Sequence, residues 1–435
     1  MNIYAWIGLA GILILTLIPL LIKKNRTKEE IRKAIIIVVI VLAIIMAVTL
    51  FNVDYLLAFL VGVVAMVLFD KKTYTKKRLL IYGAVVLLLG TASYLIFRDN
   101  PDYVLNHLKE NTETTSLFVT ENGEELISYQ ADVVRPLAST VKILIAVEYA
   151  MQVEEGILTP DQPVSIDDLN LHYYENTDGG AHEAWLDALG DEDRIRDNQV
   201  ALHDVAKGMI TYSSNANTDY LIHILGINKI NDRAQSLQLT SHEDVYPIVS
   251  ALLLPQYLKN RGIKEEDLAA ELEKMPMEMY KDIAEDLSNQ LKEGTLSIEE
   301  NEFDASFDVQ RVWSDRLTGA SANDYGKLLA ILSNDELPKT ANDLVRDLLE
   351  WPMEINEANQ ERFVHLGAKG GSTAFVLNDA MYAEDHDENR IELVLLNDEL
   401  NPWQQMLLSH NLNSFESQML GSESYRLKVK QELSE

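Results

Sequence analysis

The chain has 435 residues, carries 37 Lys+Arg against 68 Asp+Glu for a net charge of −31, and contains no cysteine, which excludes disulfides, thiol nucleophiles and Cys-ligated metal. The charge is uneven: residues 1–98 hold 12 basic and 4 acidic side chains, a net +8, and the remainder 25 against 64, a net −39. A surface that acidic repels phosphate backbones, so nucleic acid is excluded as a partner.

Residues 3–22 are almost unbroken apolar sequence, about 30 Å as a helix and enough to cross a bilayer. No basic segment precedes them, which argues against a cleaved signal peptide. Residues 34–69 are apolar except around Asn52-Val53-Asp54; as one helix they would measure about 54 Å, so they read as two spans, 34–51 and 55–69. A fourth span covers 79–97. Basic residues crowd the loops 23–33 and 70–78 (Lys23, Lys24, Arg26; Lys71, Lys72, Lys76). Positive loops stay in the cytoplasm, so both termini and everything beyond residue 98 are expected outside a multi-pass cell membrane, as in a Gram-positive envelope. No ionisable residue falls inside a span, which gives little support to a pump or channel.

Residues 99–114 read as a polar linker. Ser116–Thr120 and Leu126–Gln130 flank a Glu-Asn-Gly-Glu turn and predict a β-hairpin. A helix is expected from about Ser139 to Val153, and the chain from 200 to 350 is mostly helical in pattern. Thr318–Asn323 opens a further helix with Ser321 and Asp324 as caps. Strands are expected at Ala374–Tyr382 and Ile391–Leu396, then a helix from about Pro402. Trp351, Trp403 and the tyrosines read as core. An N-terminal hairpin, a helical middle and C-terminal strands predict an α+β domain over 115–435, with one antiparallel sheet split in sequence.

Three short motifs carry chemistry. Ser139-Thr140-Val141-Lys142 opens the first long helix, and the three-residue spacing sets hydroxyl and amine on one face. A serine becomes a nucleophile when a base takes its proton, and a desolvated lysine can be that base. Ser213-Ser214-Asn215 follows an amphipathic stretch; S-x-N also occurs at Ser321 and Ser409, where it reads as a helix cap. Lys369-Gly370-Gly371-Ser372-Thr373 sits beside strand pattern, where a lysine can hold an anionic group or lower the pKa of Lys142. The glycines there let a substrate backbone approach a strand edge. The nine histidines show no zinc spacing, so neither metal nor cofactor is expected.

In order and flanking text these motifs resemble those of the class A β-lactamase and penicillin-binding-protein superfamily, S-x-x-K, S-D-N and K-T-G, over roughly 115–420. The resemblance implies a β-lactamase-like α+β fold and acyl transfer on β-lactams or cell-wall stem peptides. Ser139 would form the acyl-enzyme, Lys142 would activate it, and Ser213 would pass the proton to the leaving nitrogen. Asn215 would hold the substrate amide, with Gly371, Ser372 and Thr373 beside it, and Lys369 would stabilise charge. The N–H groups of Ser139 and Ser372 would form an oxyanion hole.

The chain also departs from that pattern. Ser214 replaces the family aspartate and Gly370 its Thr or Ser, and Asp379 stands where class A enzymes often hold the substrate carboxylate with an arginine. The glutamate motif of the class A omega loop has no counterpart; Glu243, and His182 in Asp178-Gly179-Gly180-Ala181-His182, are the candidates for its work. The stretch 255–315 is longer and more acidic than is usual in the family. Rival readings are a D,D-peptidase and a β-lactam sensor, the latter disfavoured because the predicted cytoplasmic loops are short and carry no protease motif.

Overall fold

The computed structural model describes residues 98–174, 177–296 and 306–434, and residues 99–435 form one compact unit. The four predicted spans lie outside the described residues. Among the described residues, no helix is long and apolar enough to cross a membrane.

Helix α1 (Pro101–Glu110) comes first, followed by β1 (Thr115–Glu121), β2 (Glu124–Tyr129) and α2 (Lys142–Glu154). Then come α3 (Ala181–Asp191), α4 (Asn215–Leu225), α5 (Phe307–Asp315) and α6 (Ala322–Ser333). The C-terminal part supplies β3 (Phe363–Ser372), β4 (Leu377–Asp385), β5 (Arg390–Asn397) and α7 (Pro402–Gly421). The strands form one antiparallel sheet in the order β2-β1-β5-β4-β3, so the split α+β sheet expected from the sequence is what forms.

Both sheet faces are covered. Leu117, Leu393 and Leu395 pack under α1 and α7, while Phe118, Val394 and Leu396 face the layer built around α2. Burial on both faces is why β5 reads as continuous apolar sequence rather than an alternation. Helix α2 is buried nearly all round, as expected of a helix without a solvent stripe. A third apolar cluster, from Tyr246 to Leu291, gives the long acidic insertion its own core.

Three sequence expectations need correction. Residues 101–110 are a helix, not a linker: Asn100 caps it through the N–H of Asp102, Pro101 takes the first turn, and Val104, Leu105 and Leu108 are buried. Burying three such side chains is worth about 1.5–3 kcal/mol each, which outweighs the polar residues between them. The third motif lies within a strand rather than before one, and Thr373–Val376 is the turn. Trp403 is 56% exposed, although Trp351 packs against the core.

Candidate active site

The nucleophile segment is pinned from three sides. Buried Arg135 donates to Ser116 Oγ (2.8 Å), the carbonyl of Thr115 (2.9 Å) and Asp398 (3.1 Å), tying the approach to β1. Ala138 then takes φ 48°, a left-handed conformation costly for a residue with a Cβ, and Ala138–Val141 form a 3-10 turn leading into α2. From the sheet, Gly371 presses on this turn so closely that a Cβ there would lie 2.5 Å from the Leu137 carbonyl and 2.8 Å from the Ser139 nitrogen. Glycine brings the end of β3 against the backbone of Ser139.

Lys142 is fully buried. Its amine donates to the Ser213 carbonyl (2.7 Å), Ser213 Oγ (3.2 Å) and Asn215 Oδ1 (2.9 Å). Burial, followed by the charge of Lys369, drives its pKa well below the usual lysine value, against the opposing pull of Asp178 and Asp219. The shift moves the amine toward the neutral form that a base requires, in which it keeps two of these three donations and frees a lone pair. Lys369 donates to Ser213 Oγ (3.1 Å) and to the Gly370 carbonyl (2.9 Å). Burial lowers it to about 8, partly countered by Asp379.

Ser213 occupies a strained position. A π-helical turn over Gly208–Tyr212 delivers it at φ 65°, and both features recur at functional sites. Ser214 caps α4 by accepting from the Asn217 N–H (3.3 Å). Its hydroxyl also meets His182 Nδ1 at 3.1 Å, while His182 Nε2 faces Asn170 Oδ1 at 3.2 Å. Because Asn170 Oδ1 only accepts, the arrangement fits Nε2–H donation, with Ser214 donating to Nδ1. His182 is thus a buried support between Tyr173 and Trp185, outside the cavity lining.

Ser139, Ser213, Asn215, Lys369, Gly371, Ser372 and Thr373 all line one cavity of about 570 Å³. Thr373 Oγ accepts the Phe375 (3.0 Å) and Val376 (3.1 Å) N–H groups of the turn, so it shapes the strand end. Glu243 is not brought to the cavity. Its Oε2 accepts the Gly319 N–H (3.0 Å) and its own N–H donates to the Gly319 carbonyl (2.8 Å). In that quarter the lining is apolar, from Ile248 and Leu252.

Sequence reasoning missed the residues that build this wall. Asp219 on α4 is buried and accepts the N–H groups of Ile248 (2.9 Å), Val249 (3.0 Å) and Ser250 (3.1 Å), fixing the segment. Burial raises its pKa to about 6. Gln310, Trp313 and Ser314 reach the cavity from α5 at the end of the insertion, and Trp313 donates to the Ile248 carbonyl (3.3 Å). Asp178 lines the cavity as well; its oxygens accept N–H groups of Gly180, Ala181 and His182 at the start of α3. A capping signal ahead of α3 was available in Asp178-Gly179-Gly180. Among the described residues, no group of three or more His, Asp or Glu is placed to hold a metal ion.

The pattern of the Beta-lactamase enzyme family matches residues 102–407. The chain belongs to the β-lactamase enzyme family. Similar solved structures include a β-lactamase from Chitinophaga pinensis, 13% identical with a TM-score of 0.44 over 73% of this chain and 99% of that one. A β-lactamase from Sphaerobacter thermophilus is 15% identical, with a TM-score of 0.46 over 74% and 97%. A mutant of PBP-A, solved as its acyl-enzyme complex with penicillin G, is 17% identical, with a TM-score of 0.43 over 73% and 95%. No curated protein sequence matches the chain. Ser139, Ser213, Asn215 and Lys369, from the three motifs, meet around one cavity, and Ser214 is paired with His182 behind it.

Proposed function

We propose that this chain is a membrane-anchored, extracytoplasmic serine hydrolase that acts on β-lactams or cell-wall peptides through a Ser139 ester. The observation that carries the reading is the shared hydroxyl: Ser213 Oγ lies within hydrogen-bond reach of both Lys142 and Lys369, in the cavity that Ser139 lines. Ser139 Oγ adds to the substrate carbonyl, forming a C–O bond while its proton passes to neutral Lys142. The carbonyl oxygen becomes an oxyanion facing the N–H groups of Ser139 and Ser372. On collapse the C–N bond breaks, and the proton travels through Ser213 to the leaving nitrogen. Water then cleaves the ester, releasing the acid and restoring Ser139.

The apolar wall of Ile248 and Leu252, with Glu243 turned to Gly319, favours the peptidase reading over efficient β-lactam turnover. Anchorage rests on the four apolar runs and the basic loops between them.

The test is mass spectrometry of the full-length protein after incubation with a penicillin or a thioester acyl donor. A covalent adduct on Ser139, absent in Ser139→Ala, is expected; labelling that survives the substitution would overturn the assignment. Protease added to intact protoplasts should release the domain beyond residue 98, and its protection would overturn the orientation.

A further inference from the structure

One end of the cavity has the opposite electrostatic character to a carboxylate-binding site. Asp379 lies opposite Gly370 in the β3–β4 register and lines the cavity with Ser139. Gly370 leaves this approach open: a Cβ there would meet Asp379 Oδ2 and the Asn378 carbonyl only at 3.6 Å. Behind Asp379, from α7, stands Glu416, 7% exposed and hydrogen-bonded to the Asp379 side chain. Two carboxyl groups in contact do not both ionise readily. Burial, then the charge of Asp379, raises the pKa of Glu416 well above the usual carboxylate range, which favours a proton donated from Glu416 and the negative charge on Asp379.

Asp379 Oδ1 and Glu416 Oε1 are buried and have no partner beyond this pair, while Asp379 Oδ2 is the carboxylate oxygen nearest Gly370. Buried carboxyl oxygens are ordinarily satisfied. Lys369 is the basic side chain among the described lining residues, and its amine is already engaged by Ser213 Oγ and the Gly370 carbonyl. What lies beside Gly370 therefore meets acceptor oxygens and a negative charge.

We propose that the Asp379–Glu416 pair favours acyl donors that place an N–H group, an amide or an ammonium, beside Gly370 over those that place a free carboxylate there. The inference rests on the serine-hydrolase reading. It narrows the substrate class to acyl donors whose leaving portion continues as an amide or carries an amine, such as an internal peptide-type bond. A carboxylate in that place would stand against Asp379 with no free cation to receive it, whereas an N–H group would donate to Asp379 Oδ2, the oxygen nearest Gly370.

The experiment uses the full-length protein and three thioesters with a common acyl group, whose thiol leaving groups end in a carboxylate, a carboxamide or an ammonium. Acylation is followed by thiol release and by the mass of the Ser139 adduct. The carboxamide and ammonium donors are expected to exceed the carboxylate donor at least tenfold in kcat/KM. Asp379→Asn should narrow the ammonium-to-carboxylate ratio at least tenfold, and Glu416→Gln, which keeps a donor toward Asp379, should narrow it less. A wild-type preference for the carboxylate donor, or a ratio unmoved by Asp379→Asn in protein that still acylates, would overturn the inference alone. Failure of all three donors to acylate Ser139 would overturn the hydrolase reading and this inference with it.

Discussion

Lys142 and Lys369 converge on a single hydroxyl, Ser213 Oγ, at 3.2 and 3.1 Å. Two ammonium groups so close oppose each other's charge, and the charge of Lys369 is one cause of the depressed pKa of Lys142. Acylation needs Lys142 neutral and Lys369 charged, so kcat/KM should rise as pH climbs through the lowered pKa of Lys142 and fall as Lys369 loses its proton near 8. Lys369→Ala removes a cation that depresses Lys142. It should therefore slow acylation by about 10²-fold or more and also move the acid limb to higher pH. A slowed enzyme with an unmoved acid limb would argue against this coupling.

The two glycines of the third motif should respond oppositely. At Gly371 a Cβ would lie 2.5 Å from a backbone oxygen and 2.8 Å from the Ser139 nitrogen, so Gly371→Ala must push β3 away from the nucleophile. A loss of about 1–3 kcal/mol in stability is expected, with acylation reduced about 10²-fold through misplacement. At Gly370 the contacts are ordinary van der Waals ones, so Gly370→Ser should fold as well as the wild type by chemical denaturation. Equal behaviour of the two variants would contradict the packing described.

Ser214 and His182 form a buried polar pair at the start of α4. Ser214→Ala removes the cap of α4 and leaves His182 Nδ1 without a partner. About 1–3 kcal/mol of stability should be lost, and Ser214→Thr, which keeps a hydroxyl, should recover part of it. Denaturant unfolding of the three proteins measures the order. Burial already holds His182 below its usual pKa, so above the ordinary histidine range the imidazole is neutral and the loss should be nearly constant.

The sequence made the motifs legible because each is a local pattern, and their fixed order allowed Ser139, Ser213 and Lys369 to be brought together before any coordinate. The strand carrying Lys369 was misplaced because Gly370 and Gly371 are weak strand formers, held there by the partner strand and by the turn against Ser139. The helix at 101–110 was hidden by polar residues between Val104, Leu105 and Leu108, whose burial depends on α7 and the sheet. Glu243 was a reasonable acid by position alone, yet its partner, Gly319, lies 76 residues away. The Asp379–Glu416 contact and the Asp219 clamp on 248–250 are likewise tertiary, and short-range spacing carries no trace of them.

Deacylation depends on a base able to activate water at the ester, and the cavity wall made by 246–252 is where this chain is poorest in one. Ile248 and Leu252 line it, Glu243 is bonded to Gly319, and His182 is buried behind Ser214. Asp178 does line the cavity, but its carboxylate is engaged by three backbone N–H groups. A long-lived penicilloyl-enzyme is therefore expected, its decay unchanged within about twofold in Glu243→Gln. Ile248→Glu or Leu252→Glu would bring a carboxylate to the wall and should hasten ester decay about tenfold or more, about 1.4 kcal/mol of barrier per tenfold. Two positions are offered because a buried Glu at 248 could loosen the segment clamped by Asp219, and the exchange of one apolar side chain at 252 leaves that clamp intact. Ester decay once acylation is complete and free penicillin has been removed, followed by intact mass, decides the matter. Fast wild-type turnover that persists in Glu243→Gln and His182→Ala would show that another group, Asp178 first among them, activates the water.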